Sequence, residues 1–333
     1  MNNITASTYK LQNSRILKLE SDLIEIANIG SKSLLCKTIY TAISPGTETA
    51  AYMGVSPLRQ GNIYPRLLGY CNISEVIYSG KEVSKVCKGD ILLTFQSHRS
   101  HFVITENDFY IKVDSNSNLK QVVTAYLYHL GLHAVLTGKV MTGQSVAIVG
   151  GGVLGYTSAI MCKVNLAVPS LFSNQAMVIE KCAKSTITAY KKTDIIVDKF
   201  LNAFDVVINT SNTWQDWKTV LKLTKDSGLI VNLGFPGRGE NIPDFNPLDP
   251  QYIYVKSLTI MALKKISDEE DVNINPNCIH RKINLNNVVK LITSGVINAD
   301  EVISDEILFS DLEKQYIKYI SREHSIFSTI VRW

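Results

Sequence analysis

Gly150, Gly152 and Gly155 follow the apolar run Val146-Ala147-Ile148-Val149 in a G-x-G-x-x-G spacing. Each glycine has its own task in that pattern. The first permits a tight turn out of a strand. The second lets the backbone approach a pyrophosphate, and the third lets the next helix pack closely against the strand. That helix opens at Val153 and Leu154, and its free N–H groups point at the negative charge. The chemistry implied is dinucleotide binding, and with it hydride transfer. Glycine-rich turns after strands also occur as plain structural turns, so the surrounding elements must decide.

Those elements alternate. Val146–Val149 reads as a strand, 153–163 as a helix, 170–173 as a second strand and 176–190 as a helix. Ile195-Ile196-Val197 is a third apolar run, and 205–209 a clear strand. Residues 214–225 carry a helical apolar face, and 228–234 and 257–262 read as further strands. These runs are nearly all apolar rather than alternating, as expected of parallel strands buried on both faces. Strand–helix alternation of this kind predicts an α/β, doubly wound sheet, which supports the dinucleotide reading.

The first 115 residues differ. Short apolar runs at 33–40, 73–78, 90–95 and 101–105 are separated by turn formers such as Ser44-Pro45-Gly46 and Lys88-Gly89-Asp90. They predict a β-rich region. Helical spacing returns at 121–138, and again at 285–294 and 312–320, before a terminal strand at 326–331.

The dinucleotide's identity turns on the end of the second strand. An NAD site usually has an acidic residue there, accepting from the ribose 2′-hydroxyl. Here the stretch is Ser170-Leu171-Phe172-Ser173-Asn174-Gln175, and the nearest acid is Glu180. Ser173, Asn174 and Gln175 offer hydrogen bonds to a 2′-phosphate, and Lys181 or Lys184 offers charge. NADP is therefore expected, with NAD held less selectively as the alternative.

Composition excludes several other classes. A net charge of +4 over 333 residues is mild, and no basic tract suits nucleic acid. No apolar run reaches membrane-span length, and the first 18 residues lack a signal-peptide core. The cysteines at 36, 71, 87, 162, 182 and 278 form no CxxC pair, which fits reduced thiols in the cytoplasm. The expected partner is a small-molecule substrate.

A β-rich start, a mid-chain nucleotide fold and a return segment resemble the medium-chain dehydrogenase/reductase superfamily. The motifs carrying the resemblance are Ala42-Ile43-Ser44-Pro45-Gly46-Thr47-Glu48, Pro65-Arg66-Leu67-Leu68-Gly69-Tyr70 and Val86-Cys87-Lys88-Gly89-Asp90. Ser294-Gly295-Val296-Ile297 and Phe309-Ser310-Asp311-Leu312 continue it toward the C-terminus. The first two loops are similar to a zinc-lacking branch that includes bacteriochlorophyllide hydroxyethyl dehydrogenase-like proteins. The resemblance implies a GroES-like catalytic domain (1–125 and 266–333), a Rossmann domain (126–265), and a homodimer or homotetramer paired through the edge strand at 257–262.

It also implies site residues. The zinc-ligand positions of the superfamily hold Pro45, Tyr70 and Cys71 here. Proline offers no ligand and a neutral phenol is a poor one, so no zinc is expected. Cys71 with His98 or His101 fits no zinc spacing. Thr47 falls at the proton-relay hydroxyl and Glu48 at a carboxylate behind the metal. Without metal, a side chain must supply the proton or bind the developing alkoxide. Tyr70 is the first candidate, Thr47 the second, and Glu48 an orienting group. Each also has a plain structural explanation: Tyr70 as filler, Thr47 as turn residue, Glu48 as cap. His98, His129 and His133 are further candidates, each also read as structural or exposed. Asn209, Thr210 and Ser211 would lie beside a cofactor ribose, and Leu233, Gly234, Phe235, Ala262 and Leu263 beside the carboxamide. The function implied is zinc-independent hydride transfer between NADP and an alcohol/carbonyl pair. A C=C reductase of the enoyl or quinone type and a non-catalytic dinucleotide binder remain alternatives.

Overall fold

The computed structural model describes residues 3–56, 63–196, 198–267, 279–321 and 327–333. Two compact units emerge: Met1–Tyr126 with Leu285–Trp333, and Leu127–Asn284. The sequence boundaries stood at 125/126 and 265/266. Val197, Cys278, Ile326 and most of the polar stretch after Ile266 lie outside the described residues.

The first unit opens with a hairpin that the sequence reading did not anticipate, β1 (Asn3–Asn13) and β2 (Ile16–Glu25). Arg15 makes its turn at φ 59°. β3 (Ser33–Ala42) leads into α1 (Pro45–Met53), then β4 (Arg66–Leu67) and β5 (Asn72–Ser79). β6 (Ile91–Thr94), β7 (His101–Thr105) and β8 (Tyr110–Val113) complete the β-rich part. Ser44-Pro45-Gly46, expected as a turn, instead starts a helix. Proline at the first helical position loses no intrahelical bond, and Gly54 ends the helix at φ 71°.

Two short helices follow, α2 (Leu119–Val122) and α3 (Ala125–Thr137). The second unit then runs β9 (Ser145–Val149), α4 (Val153–Val164), β10 (Val168–Phe172), α5 (Ala176–Lys184) and β11 (Thr188–Tyr190). It continues through β12 (Phe204–Asn209), α6 (Trp214–Leu223), β13 (Thr224–Asn232), α7 (Pro250–Ile253) and β14 (Thr259–Ala262). The sheet order is β11-β10-β9-β12-β13-β14, all parallel, which is the doubly wound Rossmann arrangement. Val146 to Val149 are fully buried. The helix expected at 176–190 ends at Lys184. Thr186 takes φ 54°, and the third strand is 188–190, whereas 192–196 is a 3-10 turn. The short, polar-flanked β11 lacked the apolar run that marks a strand.

β15 (Ile266–Ser267) and β16 (Ile279–His280) form a small pair, and α8 (Arg281–Thr293) leads back toward the first unit. There β17 (Ile303–Leu308), α9 (Leu312–Ser321) and β18 (Ser328–Arg332) follow. β18 inserts between β17 and β3, giving a sheet ordered β17-β18-β3-β5-β6-β8 with β7 also on β3. Tyr9, Leu11, Ile43, Tyr52, Leu68, Leu312, Tyr316 and Val331 form one core, so the two ends of the chain bury each other. The architecture is the expected one, a GroES-like β-rich unit and a Rossmann unit.

Candidate functional site

Strand register assembles the first group of residues. β3 and β5 are antiparallel, with Thr41 opposite Asn72 and the Ala42 N–H donating to the Cys71 carbonyl at 2.9 Å. The exit of β3 therefore brings Ser44–Glu48 beside Tyr70 and Cys71. β6 pairs Thr94 with Asn72, so its exit delivers His98 to the same edge.

Glu48 is 2% exposed, and both its oxygens are engaged. Oε1 accepts from the Ser44 N–H at 2.7 Å, which closes the first turn of α1. Oε2 accepts from the Tyr316 hydroxyl at 2.6 Å and from His98 Nε2 at 2.8 Å. On the far side of the imidazole, Nδ1 lies 2.7 Å from Thr41 Oγ1, and that hydroxyl accepts from Trp333 Nε1 at 3.0 Å. The indole can only donate, and the carboxylate can only accept. Hydrogen on His98 Nε2, with Thr41 donating to Nδ1, satisfies every group in the chain.

Tyr70 is half-buried, packs edge-on against Tyr126 at 5.4 Å, and lies near the hydroxyls of Ser44 and Thr47, which stabilise its phenolate slightly. Burial pushes its phenol well above the ordinary value, and Cys71 and the Glu48 charge push it further. Thr47 is exposed on the first turn of α1. Cys71 is fully buried, and burial followed by the Glu48 charge holds its thiol well above the ordinary value.

A zinc ion needs deprotonated, uncommitted donors. Here Pro45 has none, a tyrosine is a poor ligand, and the ring nitrogens of His98 and both oxygens of Glu48 are committed to other partners. This donor set does not fit a zinc ion. Among the described residues no cluster of three His, Cys, Asp or Glu side chains could hold a metal.

The second group lies at the carboxyl ends of the Rossmann strands. Gly150 takes φ 117°, and a side chain there would meet Thr210 Oγ1 at 2.5 Å. Thr210 Oγ1 in turn donates to the Val149 carbonyl at 3.1 Å. A Cβ on Gly155 would drive into the Gly150 carbonyl oxygen, whereas a Cβ on Gly152 would meet nothing within 4 Å. The turn thus packs on one side and stands open on the other, beside the N-terminus of α4 at Val153 and Leu154. Gly151, outside the motif, is equally constrained, because a Cβ there would collide with Ser173.

Ser173 is buried beneath that turn, where its Oγ accepts from the Gln175 N–H at 3.1 Å. Asn174 and Gln175 are exposed, and Asn174 lines a cavity of about 870 Å³ with Lys192, Thr193, Thr213, Asp216 and Tyr252. Lys181 sits in the last turn of α5, about 9 Å along the helix axis from Gln175. A cation that does stand at the strand ends is Lys192, paired with Asp216 at 2.6 Å, and Asp216 also accepts from Ser211 Oγ. Asn209 bridges Ser211 and Asn232, and Gly234 packs against the Ser211 carbonyl. Phe235 is half-exposed, Leu233 buried, and Ala262 lies exposed at the end of β14 beside Leu263.

Sequence reading missed Thr41, Tyr316, Trp333, Lys192 and Asp216, and ranked His98, His129 and His133 as structural or exposed before functional. All three histidines are buried. His133 Nε2 lies 2.9 Å from the Lys264 carbonyl, which fits a structural part.

No family model matches the chain. NADP-dependent alcohol dehydrogenase C 1 of Mycolicibacterium smegmatis is 30% identical over 105 residues. That match spans 31% of this chain and 30% of the relative. Among solved structures, 2R,3R-butanediol dehydrogenase from Bacillus subtilis superposes with a TM-score of 0.79 at 16% identity, covering 98% of this chain and 99% of the other. A zinc-binding dehydrogenase from Sinorhizobium meliloti 1021, bound to NADP, reaches 0.78 at 16% identity over 99% of this chain and 100% of its own. The chain therefore has the fold of these dehydrogenases along nearly its whole length.

Proposed function

We propose that the protein is a zinc-independent, NADP-dependent oxidoreductase acting on an alcohol/carbonyl pair, with Tyr70 as the proton donor to the substrate oxygen. The observation that carries this reading is the phenol of Tyr70 at the former metal-ligand position, near the Ser44 and Thr47 hydroxyls and the charge of the buried Glu48 carboxylate. A phenol held protonated is a hydrogen-bond donor across the physiological range, which suits protonation of a reduced carbonyl. Thr47, exposed, connects the phenol to solvent and restores its proton. The donor set around Glu48, already committed, supports a site that works without zinc.

The Gly150–Gly152 turn and the N-terminus of α4 at Val153–Gly155 would hold the pyrophosphate. Asn174 and Lys192 would face the adenosine end, and the ends of β13 and β14 the carboxamide. The cofactor, when bound, supplies the hydride. The NADP preference rests on Lys192 and on the lack of an acid between Ser173 and Gln175, and the name of the Mycolicibacterium relative agrees with it. A homodimer paired along β14 is supported by its edge position and by the exposed Tyr254 and Val255 before it. A cytoplasmic location is supported by the unpaired state of the five described cysteines. Among the described residues no helix is long and apolar enough to cross a membrane.

The test is NADPH consumption over a panel of ketones, aldehydes and α,β-unsaturated carbonyls, with Tyr70→Phe beside wild type. The expected outcome is turnover of a simple carbonyl, lowered about 100-fold by the substitution. Turnover of unsaturated substrates alone would reassign the protein to C=C reduction. Binding without turnover across the panel would leave a non-catalytic dinucleotide binder.

A further inference from the structure

The Tyr70 hydroxyl takes its position from two loops far apart in sequence, and one side chain joins them. His98 donates its backbone N–H to the Leu68 carbonyl at 2.8 Å. Its ring lies against Gly69, where a Cβ would sit 2.7 Å from Cδ2. That contact and the φ of 89° leave no room for another residue at 69. Through Nε2 the same ring reaches Glu48, whose other oxygen holds the Ser44 N–H. The loop carrying Tyr70 and the helix start carrying Ser44 and Thr47 are therefore cross-linked by an imidazole–carboxylate pair that is almost wholly buried.

We propose that His98 and Glu48 act as a positioning pair for Tyr70, holding its loop and the first turn of α1 in register, with Tyr316 and Thr41 as the outer braces. This rests on the reading of Tyr70 as proton donor. The physical case is geometric. A hydroxyl that must reach a substrate oxygen within hydrogen-bond range loses activity steeply when displaced by about 1 Å. The strand-end bond from the Ala42 N–H to the Cys71 carbonyl also ties the two segments, but no side chain makes it. Cys71 is in the same loop, but its thiol is held protonated and gives no comparable tie.

The experiment is a mutant cycle on the full-length protein with NADPH and the carbonyl substrate found in the panel. Glu48→Gln and His98→Gln are each expected to lower kcat about 10- to 100-fold. KM should stay within about threefold, and neither change should add its full effect to Tyr70→Phe, because all three act through one hydroxyl. Tyr316→Phe, which removes a brace and leaves the pair, should cost about threefold. In proton NMR spectra the His98 Nε2–H should appear far downfield and exchange slowly, vanish in His98→Gln and Glu48→Gln, and persist in Tyr316→Phe. If Glu48→Gln fails to fold, the Tyr316→Phe kinetics and the His98 resonance carry the decision. A Tyr70→Phe enzyme of unchanged kcat would sink the Tyr70 reading. A slow Tyr70→Phe enzyme alongside full-rate His98→Gln and Glu48→Gln enzymes, or full additivity, would sink the positioning pair alone.

Discussion

The two candidate regions are built on opposite plans. The glycine turn of the Rossmann unit is compact in sequence: Gly150, Gly151, Gly152 and Gly155 lie within six residues, with Thr210 and Ser173 packed against the first two. The cluster around Glu48 is assembled from distant segments. Its members, Thr41, Glu48, His98, Tyr316 and Trp333, come from β3, α1, the loop after β6, α9 and the last residue. The first plan tolerates no side chain at its packed glycines. The second depends on every buried polar atom finding its partner, since an unpaired one costs about 1–3 kcal/mol.

The sharpest way to break the comparison is inside the glycine turn. Gly155→Ala should destabilise the protein by about 3 kcal/mol, read as a lowered urea midpoint, because its methyl collides with the Gly150 carbonyl. Gly152→Ala, with open space beside it, should leave the midpoint nearly unchanged and weaken NADPH binding in a fluorescence titration. Equal stability losses in both would show that the turn is packed on both sides.

Acid should reveal a second contrast. Burial, then His133 and Arg281, lower His129 to about 3 from an ordinary 6.5. The unfolded chain then binds a proton below pH 6.5 that the folded chain refuses. Stability from this group is present above pH 6.5 and declines as pH falls toward 3, by up to about 1.4 kcal/mol per unit. His133, also lowered by burial, adds in the same direction. Urea midpoints at pH 7 and pH 5 should differ, and His129→Gln should flatten the difference.

The smallest expected effect tests the adenosine end. Lys192→Gln should weaken NADPH about tenfold and leave NADH within about twofold, the loss of one charge-assisted bond to a phosphate. The same loss for Lys181→Gln, and none for Lys192→Gln, would return the phosphate to α5.

Much of the Rossmann unit was legible because its signals are short-range. An apolar run, a glycine spacing and a helical face are each contained within a dozen residues, and five of the predicted strands stand within a few residues of their expected places. The failures there were also local. β11 is three residues long and only partly buried, so it carries no apolar run, and the helix before it ends at Lys184, short of its helical pattern. In the β-rich unit, Pro45 was read as a turn former because proline suits a turn and a first helical position equally well. Thr47, Glu48 and Tyr70 were found through the resemblance, but nothing in the spacing of His98 or Tyr316 pointed to Glu48.

By itself the sequence determined the alternation of strands and helices, the glycine turn at 150–155 and the absence of an acid after Phe172. Each is a matter of backbone freedom, periodicity or residue type, and needs no partner to be read. Only the tertiary structure decided that Lys192 stands at the strand ends in place of Lys181, and that His98 joins Glu48 to the Tyr70 loop. Those pairings arise from strand register and from the burial of both chain ends in one core. A buried polar group takes whichever partner the fold brings within about 3 Å, however far away it lies in sequence.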